Sequence, residues 1–167
     1  LLEDREGSLW LGTDGGGLVQ LRTGTALAFT RADGLAADSV LPIAEDRDGR
    51  IWIGGWCGGL TRYEAGRFAE VALPAGLDSD CVSALAATRD GALWVAHHAL
   101  FRLVDDRWSE QVPRGRLGTV HAILEDRSGT IWIASERGLA RVEGGRVTPL
   151  PALAGEPPPP PGPQARR

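Results

Sequence analysis

At 167 residues, with 43% apolar and 24% charged side chains, the chain has the make-up of an ordinary globular protein rather than a disordered or fibrous one. Its net charge is −4, and its 18 basic residues, all arginine, are scattered among 22 acids, which argues against a phosphate-tracking surface and excludes nucleic acid as the expected partner. No run of about 18 apolar residues occurs, so no segment reads as a membrane span.

In chain order, the first recognisable unit is EDREGSLWLG at Glu3 to Gly12. It returns as EDRDGRIWIG at Glu45 to Gly54, ATRDGALWVA at Ala87 to Ala96 and EDRSGTIWIA at Glu125 to Ala134. The tryptophans of these copies, Trp10, Trp52, Trp94 and Trp132, stand 42, 42 and 38 residues apart, a period that belongs to a solenoid, a propeller or an array.

Within each copy an Asp-rich turn with a glycine (Gly7, Gly49, Gly91, Gly129) precedes Leu or Ile, Trp, and Leu, Ile or Val. Such a turn calls for positive φ, and the apolar run after it is the length and composition of a buried strand. A second turn and a short alternating strand follow, as GGLVQL, GGLTRY, ALFRL and GLARV. A third turn and strand come next, such as RFAEV or RVTPL, and an apolar run precedes each Trp hairpin, as in SVLPIAED.

That makes four short strands per period and no amphipathic helix. The pattern predicts an all-β fold, a partial β-propeller of about four blades, each a four-stranded antiparallel sheet. The blades fall at about 1–30, 38–73, 81–112 and 120–150, the first lacking most of its inner strand. Pro42 lies within a predicted inner strand, where a single neighbour makes the missing N–H tolerable. From Pro151 to Arg167 the sequence becomes PALAGEPPPPPGPQARR, a proline-rich tail or linker. The chain has no methionine and opens inside a repeat, so a parent protein extending upstream is expected.

The pattern DGL-x-x-D-S-V, then an apolar strand, then E-D-R-x-G-x-[LI]-W-[LIV]-[GA] and G-G-L-x-R resembles the two-component regulator propeller repeat. Asp33 to Leu35, Asp38 to Val40 and Glu45 to Gly54 carry the resemblance best, with weaker versions from Ala75 and Arg114. The resemblance implies the extracytoplasmic or periplasmic sensor region of a bacterial two-component protein. It further implies flanking sensor or histidine kinase domains in the parent. Nearly every carboxylate belongs to a turn that recurs, so no acid/base pair or activated nucleophile stands out from the repeat framework, and neither enzymatic activity nor a cofactor is expected.

In such an arrangement the loops between the second and third strands and those between blades open on one face. Asp38, Ser39, Trp56, Asp80, His97, His98, Glu136 and Arg137 collect there as candidate contacts for a small polar ligand, an oligosaccharide being one option. Trp56 stands outside the repeated Trp column and offers an apolar plate for a sugar ring. A protein-interaction platform is the alternative, and a propeller lyase or hydrolase a further one. An isolated arc leaves bare blade faces at its ends, so aggregation or self-association completing a ring is expected.

His97 and His98, as adjacent strand residues, are expected on opposite faces, which disfavours a shared metal. Cys57 and Cys81 are read as buried free thiols, with a disulfide as the alternative. The EDRDG turn lacks the distal ligands of a calcium loop, so Asp4, Asp46 and Asp126 are read as turn caps. The aspartate of the sialidase Asp-box is replaced by Arg5, Arg47, Arg89 or Arg127.

Overall fold

The turn of each repeat builds the strand that follows it. In the computed structural model, which describes residues 1–77, 81–143 and 146–150, Asp4 Oδ1 accepts the backbone N–H of Glu6 at 3.0 Å and of Ser8 at 2.8 Å. Its Oδ2 accepts the indole N–H of Trp10 at 2.7 Å. Asp46 binds Asp48, Arg50 and the Trp52 indole in the same way, and Asp126 binds Ser128, Thr130 and the Trp132 indole. One carboxylate thus closes the turn and orients the large side chain two positions beyond it, as the reading of these aspartates as caps anticipates.

Among the described residues, sixteen strands form four antiparallel sheets, each of four consecutive strands paired with their sequence neighbours. The first holds β1 (Leu2–Glu3), β2 (Leu9–Gly12), β3 (Leu18–Arg22) and β4 (Thr25–Phe29). The second holds β5 (Val40–Glu45), β6 (Ile51–Gly55), β7 (Leu60–Glu64) and β8 (Arg67–Val71). The third holds β9 (Ala84–Ala87), β10 (Leu93–Ala96), β11 (Leu100–Val104) and β12 (Arg107–Val112). The fourth holds β13 (Val120–Glu125), β14 (Ile131–Ser135), β15 (Gly138–Glu143) and β16 (Arg146–Pro149). The inner strand of the first sheet is only two residues long, and Pro42 of β5 sits where the register with β6 shifts between Val40 and Ile43.

The sheets stack face to face as blades. The Trp-bearing face of one blade packs against the Leu/Ile pair that flanks the Trp of the next, so Trp10 meets Ile51 and Ile53, Trp52 meets Leu93 and Val95, and Trp94 meets Ile131 and Ile133. Three separate cores result, one per junction.

An equivalent backbone hydrogen bond recurs at each junction and ties the start of an inner strand to the blade before it: Val40 N to Thr13 O, Val82 N to Gly55 O and Val120 N to His97 O, at 2.9, 3.1 and 2.8 Å. Close approach explains the Gly/Ala after each hairpin strand. A Cβ on Gly12 would stand 2.7 Å from the Val40 side chain, and one on Gly54 would stand 2.7 Å from that of Val82.

On the turn side, Arg5 N donates to Glu45 at 3.1 Å and its guanidinium to Arg47 O at 2.6 Å, joining blades one and two. Arg89 makes the same contacts with Glu125 and Arg127 O between blades three and four. The middle junction has Ala87 at the glutamate position and lacks this contact. On its loop side it carries instead a disulfide between Cys57 and Cys81. The expectation of free thiols is therefore corrected. The Val82 N to Gly55 O bond brings the loop before β9 alongside the β6–β7 turn, and Cys57 in that turn adopts φ 53°, so the two sulfurs meet.

Candidate functional site

The loop side carries a connected run of polar and aromatic groups across blades one to four. Its first member is Asp14 in the β2–β3 loop, whose carboxylate accepts the Ser39 hydroxyl at 2.9 Å. The Ser39 carbonyl accepts the backbone N–H of Trp56 at 2.8 Å. Trp56 is 48% exposed, and its ring meets that of His97 edge-on at 5.6 Å and 88°.

His97 is buried, and its ring lies 4.0 Å from that of His98. The two histidines occupy the turn between β10 and β11 rather than a strand, so the expectation that they point to opposite faces does not hold. Among the described residues no group of three or more His, Cys, Asp or Glu side chains is arranged to hold a metal ion.

Glu136 stands at the far end of the run. Its carboxylate accepts the Thr119 N–H at 3.0 Å, and that bond holds its pKa below the ordinary glutamate value, with His121 and His98 nearby adding to the effect. It is therefore an anion poised beside imidazoles.

Ser39, Trp56, His97, His98 and Glu136 are brought together by the loops of three successive blades. Asp38 belongs to the framework beside them: its carboxylate accepts Arg31 N at 2.8 Å and its carbonyl accepts Gly17 N at 2.7 Å. Arg137 lines a cleft between blades three and four. Asp80 lies outside the described residues, as does the 151–167 tail.

Two members of the neighbourhood, Asp14 and His121, escape the sequence reading. Asp14 sits in a second-to-third strand loop, so the rule that gathered Trp56 and His97 reaches it too. His121 lies in the inner strand β13, whose pairing with β14 sets Val120 opposite Ser135 and so brings His121 near Glu136.

Four stacked four-stranded antiparallel blades define a section of a β-propeller. Residues 34–57 and 115–137 match the family described as two component regulator propeller, so the repeats of the second and fourth blades are two-component regulator propeller repeats. No curated protein matches the chain.

Among solved structures, the extracellular domain of a protein described as a one component system of B. thetaiotaomicron aligns with a TM-score of 0.75 and 21% identity, covering 87% of this chain and 21% of that one. A streptogramin B lyase aligns with a TM-score of 0.73 and 18% identity, covering 91% of this chain and 54% of that one. Virginiamycin B lyase of Staphylococcus aureus with quinupristin aligns at 0.73 and 17%, covering 92% and 55%. The chain thus spans about a fifth of that extracellular domain and about half of either lyase. Likeness at these identities establishes the propeller architecture that all of them share. Among the described residues no helix is long and apolar enough to cross a membrane.

Proposed function

We propose that this chain is a section of the sensing propeller of a bacterial two-component regulator, working outside the cytoplasm and binding a small polar ligand, a carbohydrate, on its loop side. The half-exposed Trp56, held edge-on by His97 at 5.6 Å, is the observation that carries the reading. A braced indole offers a rigid apolar face to the C–H side of a sugar ring, while His98, Glu136 and Ser39 supply donors and acceptors for its hydroxyls.

Three further facts support parts of this reading. The repeats are of the regulator type, and an aligned ectodomain is extracellular. The Cys57–Cys81 disulfide suits an oxidising compartment. Glu136 is already held by Thr119 and serves better as a hydrogen-bond acceptor than as a general acid, which favours binding over catalysis. Signal output then falls to flanking domains of the parent, a histidine kinase among them.

A glycan array followed by calorimetry tests the proposal. Binding of an oligosaccharide that Trp56→Ala weakens about tenfold or more, with an unchanged melting temperature, is the expected result. Failure of every glycan, together with recovery of a specific protein that Trp56→Ala releases, would replace it with a protein-interaction platform.

A further inference from the structure

The cleft that Arg137 lines differs in its lining from the two larger clefts among the described residues. It measures about 530 Å³, lies between β12 of the third blade and β14 to β16 of the fourth, and includes Arg116, Arg137 and Arg146. Its floor is apolar, from the buried Val112, Leu117 and Ala140. Among the described residues no carboxylate lines it.

The cleft between blades one and two, about 630 Å³, sets Arg22 among Asp4, Glu6, Glu45 and Glu64, and Arg22 pairs with Glu6 at 3.4 Å. The turn-side cleft between blades three and four, about 620 Å³, sets Arg102 among Asp90, Glu125 and Glu143, and Arg102 pairs with Asp90 at 2.6 Å. Arg116, Arg137 and Arg146 take part in no such ion pair among the described residues. Three uncompensated guanidiniums around one concavity, in a chain of net charge −4, make a local positive field that an anion would relieve.

We propose that this cleft binds a small organic anion, a carboxylate or sulfonate on an apolar body. The guanidinium fork matches the paired oxygens of such a head group, and the Val112, Leu117 and Ala140 floor takes the body. The volume falls within the range of small-molecule sites. The site is separate from the Trp56 run and does not depend on what binds there.

The test uses 8-anilinonaphthalene-1-sulfonate as the anionic probe and the uncharged N-phenyl-1-naphthylamine as its neutral counterpart, each titrated by fluorescence into the 167-residue chain. Saturable binding of the sulfonate, about tenfold or more tighter than that of the neutral dye, is expected. Arg137→Glu and Arg146→Glu should each weaken it about tenfold, Arg137→Gln by less, while Arg31→Glu and Trp56→Ala leave it unchanged. Circular dichroism melts check that the variants are folded. Equal affinity for the two dyes, or sulfonate binding indifferent to Arg137→Glu and Arg146→Glu, would overturn the proposal by assigning the dye to exposed apolar surface, and absence of sulfonate binding would overturn it outright.

Discussion

The indole N–H of Trp94 has no acceptor among the described residues because Thr88 stands where Asp4, Asp46 and Asp126 serve the tryptophans of the other repeats. Trp94 is 6% exposed, so the orphaned donor is a standing cost. The Thr88 hydroxyl bonds Asp90 and the Ala92 carbonyl, closing the turn without reaching the ring. Thr88→Asp should restore the missing bond and stabilise the protein by about 1 kcal/mol, raising its melting temperature by about 3 °C. Scanning calorimetry showing no rise would refute this account.

Ala87 has a second consequence. It removes the glutamate that would meet Arg47, although the Arg47 guanidinium already lies over the third blade, where a Cβ on Gly91 would come within 2.7 Å of it. Ala87→Glu should therefore gain about 0.5 kcal/mol through Arg47. A double-mutant cycle with Arg47→Ala should return that coupling at low salt and lose most of it in about 1 M salt.

The middle junction relies on its disulfide. Cys57 and Cys81 close a loop with a sequence separation of 24 residues, and removing such a link costs about 3 kcal/mol in the chain-entropy view. The paired serine variant should melt at least about 8 °C lower, and the wild type should fall by the same amount under reductant. Equal melting of oxidised and reduced protein would show that the blade packing alone holds this junction.

Acid should destabilise the fold through the same turns. Burial works against the charge of Asp46, but its bonds from Trp52 and Arg50 prevail and its pKa lies below the ordinary 3.8. Asp126 is lowered further, first by Ser128 and then by Trp132. Groups whose folded pKa is depressed contribute stability that is present above the unfolded value and lost as pH falls through the folded one. Stability should therefore be flat near neutrality and drop below about pH 4, and Asp46→Asn should make that drop shallower. Urea titrations across pH 2 to 6 would read the slope directly.

The end faces of the arc predict association. Leu139 is 48% exposed and Leu124 64%, whereas Leu18, Leu60 and Leu100, which occupy the place of Leu139 in the other blades, are fully buried. At the opposite end Leu9 and Leu21 are open where Ile51 and Leu103 are covered. In the 167-residue chain by itself, a second copy should cover these faces head to tail, with Arg127 meeting Glu3 as Arg5 meets Glu45. Sedimentation should show concentration-dependent dimers that Leu139→Glu weakens about tenfold or more, since it sets a charge on the buried face. A monomer throughout the micromolar range would exclude this docking.

How much of this was legible beforehand follows from the physics of each feature. A period near 40 residues, a glycine after an Asp-rich turn and a strand-forming Trp run are local signals, so the sequence alone determined the four sheets, their order and the capping roles of Asp4, Asp46 and Asp126. Strand alternation and turn chemistry act between neighbours in the chain, and composition records them.

What joins residues across blades depends instead on how one sheet stacks on the next, and that only the tertiary structure decided. It placed Cys57 against Cys81, set the Trp56 ring edge-on to His97, and tied Arg5 to Glu45 and Arg89 to Glu125. These contacts form between residues roughly 20 to 40 positions apart in the chain, where no local propensity reaches and the packing of neighbouring blades sets the distance.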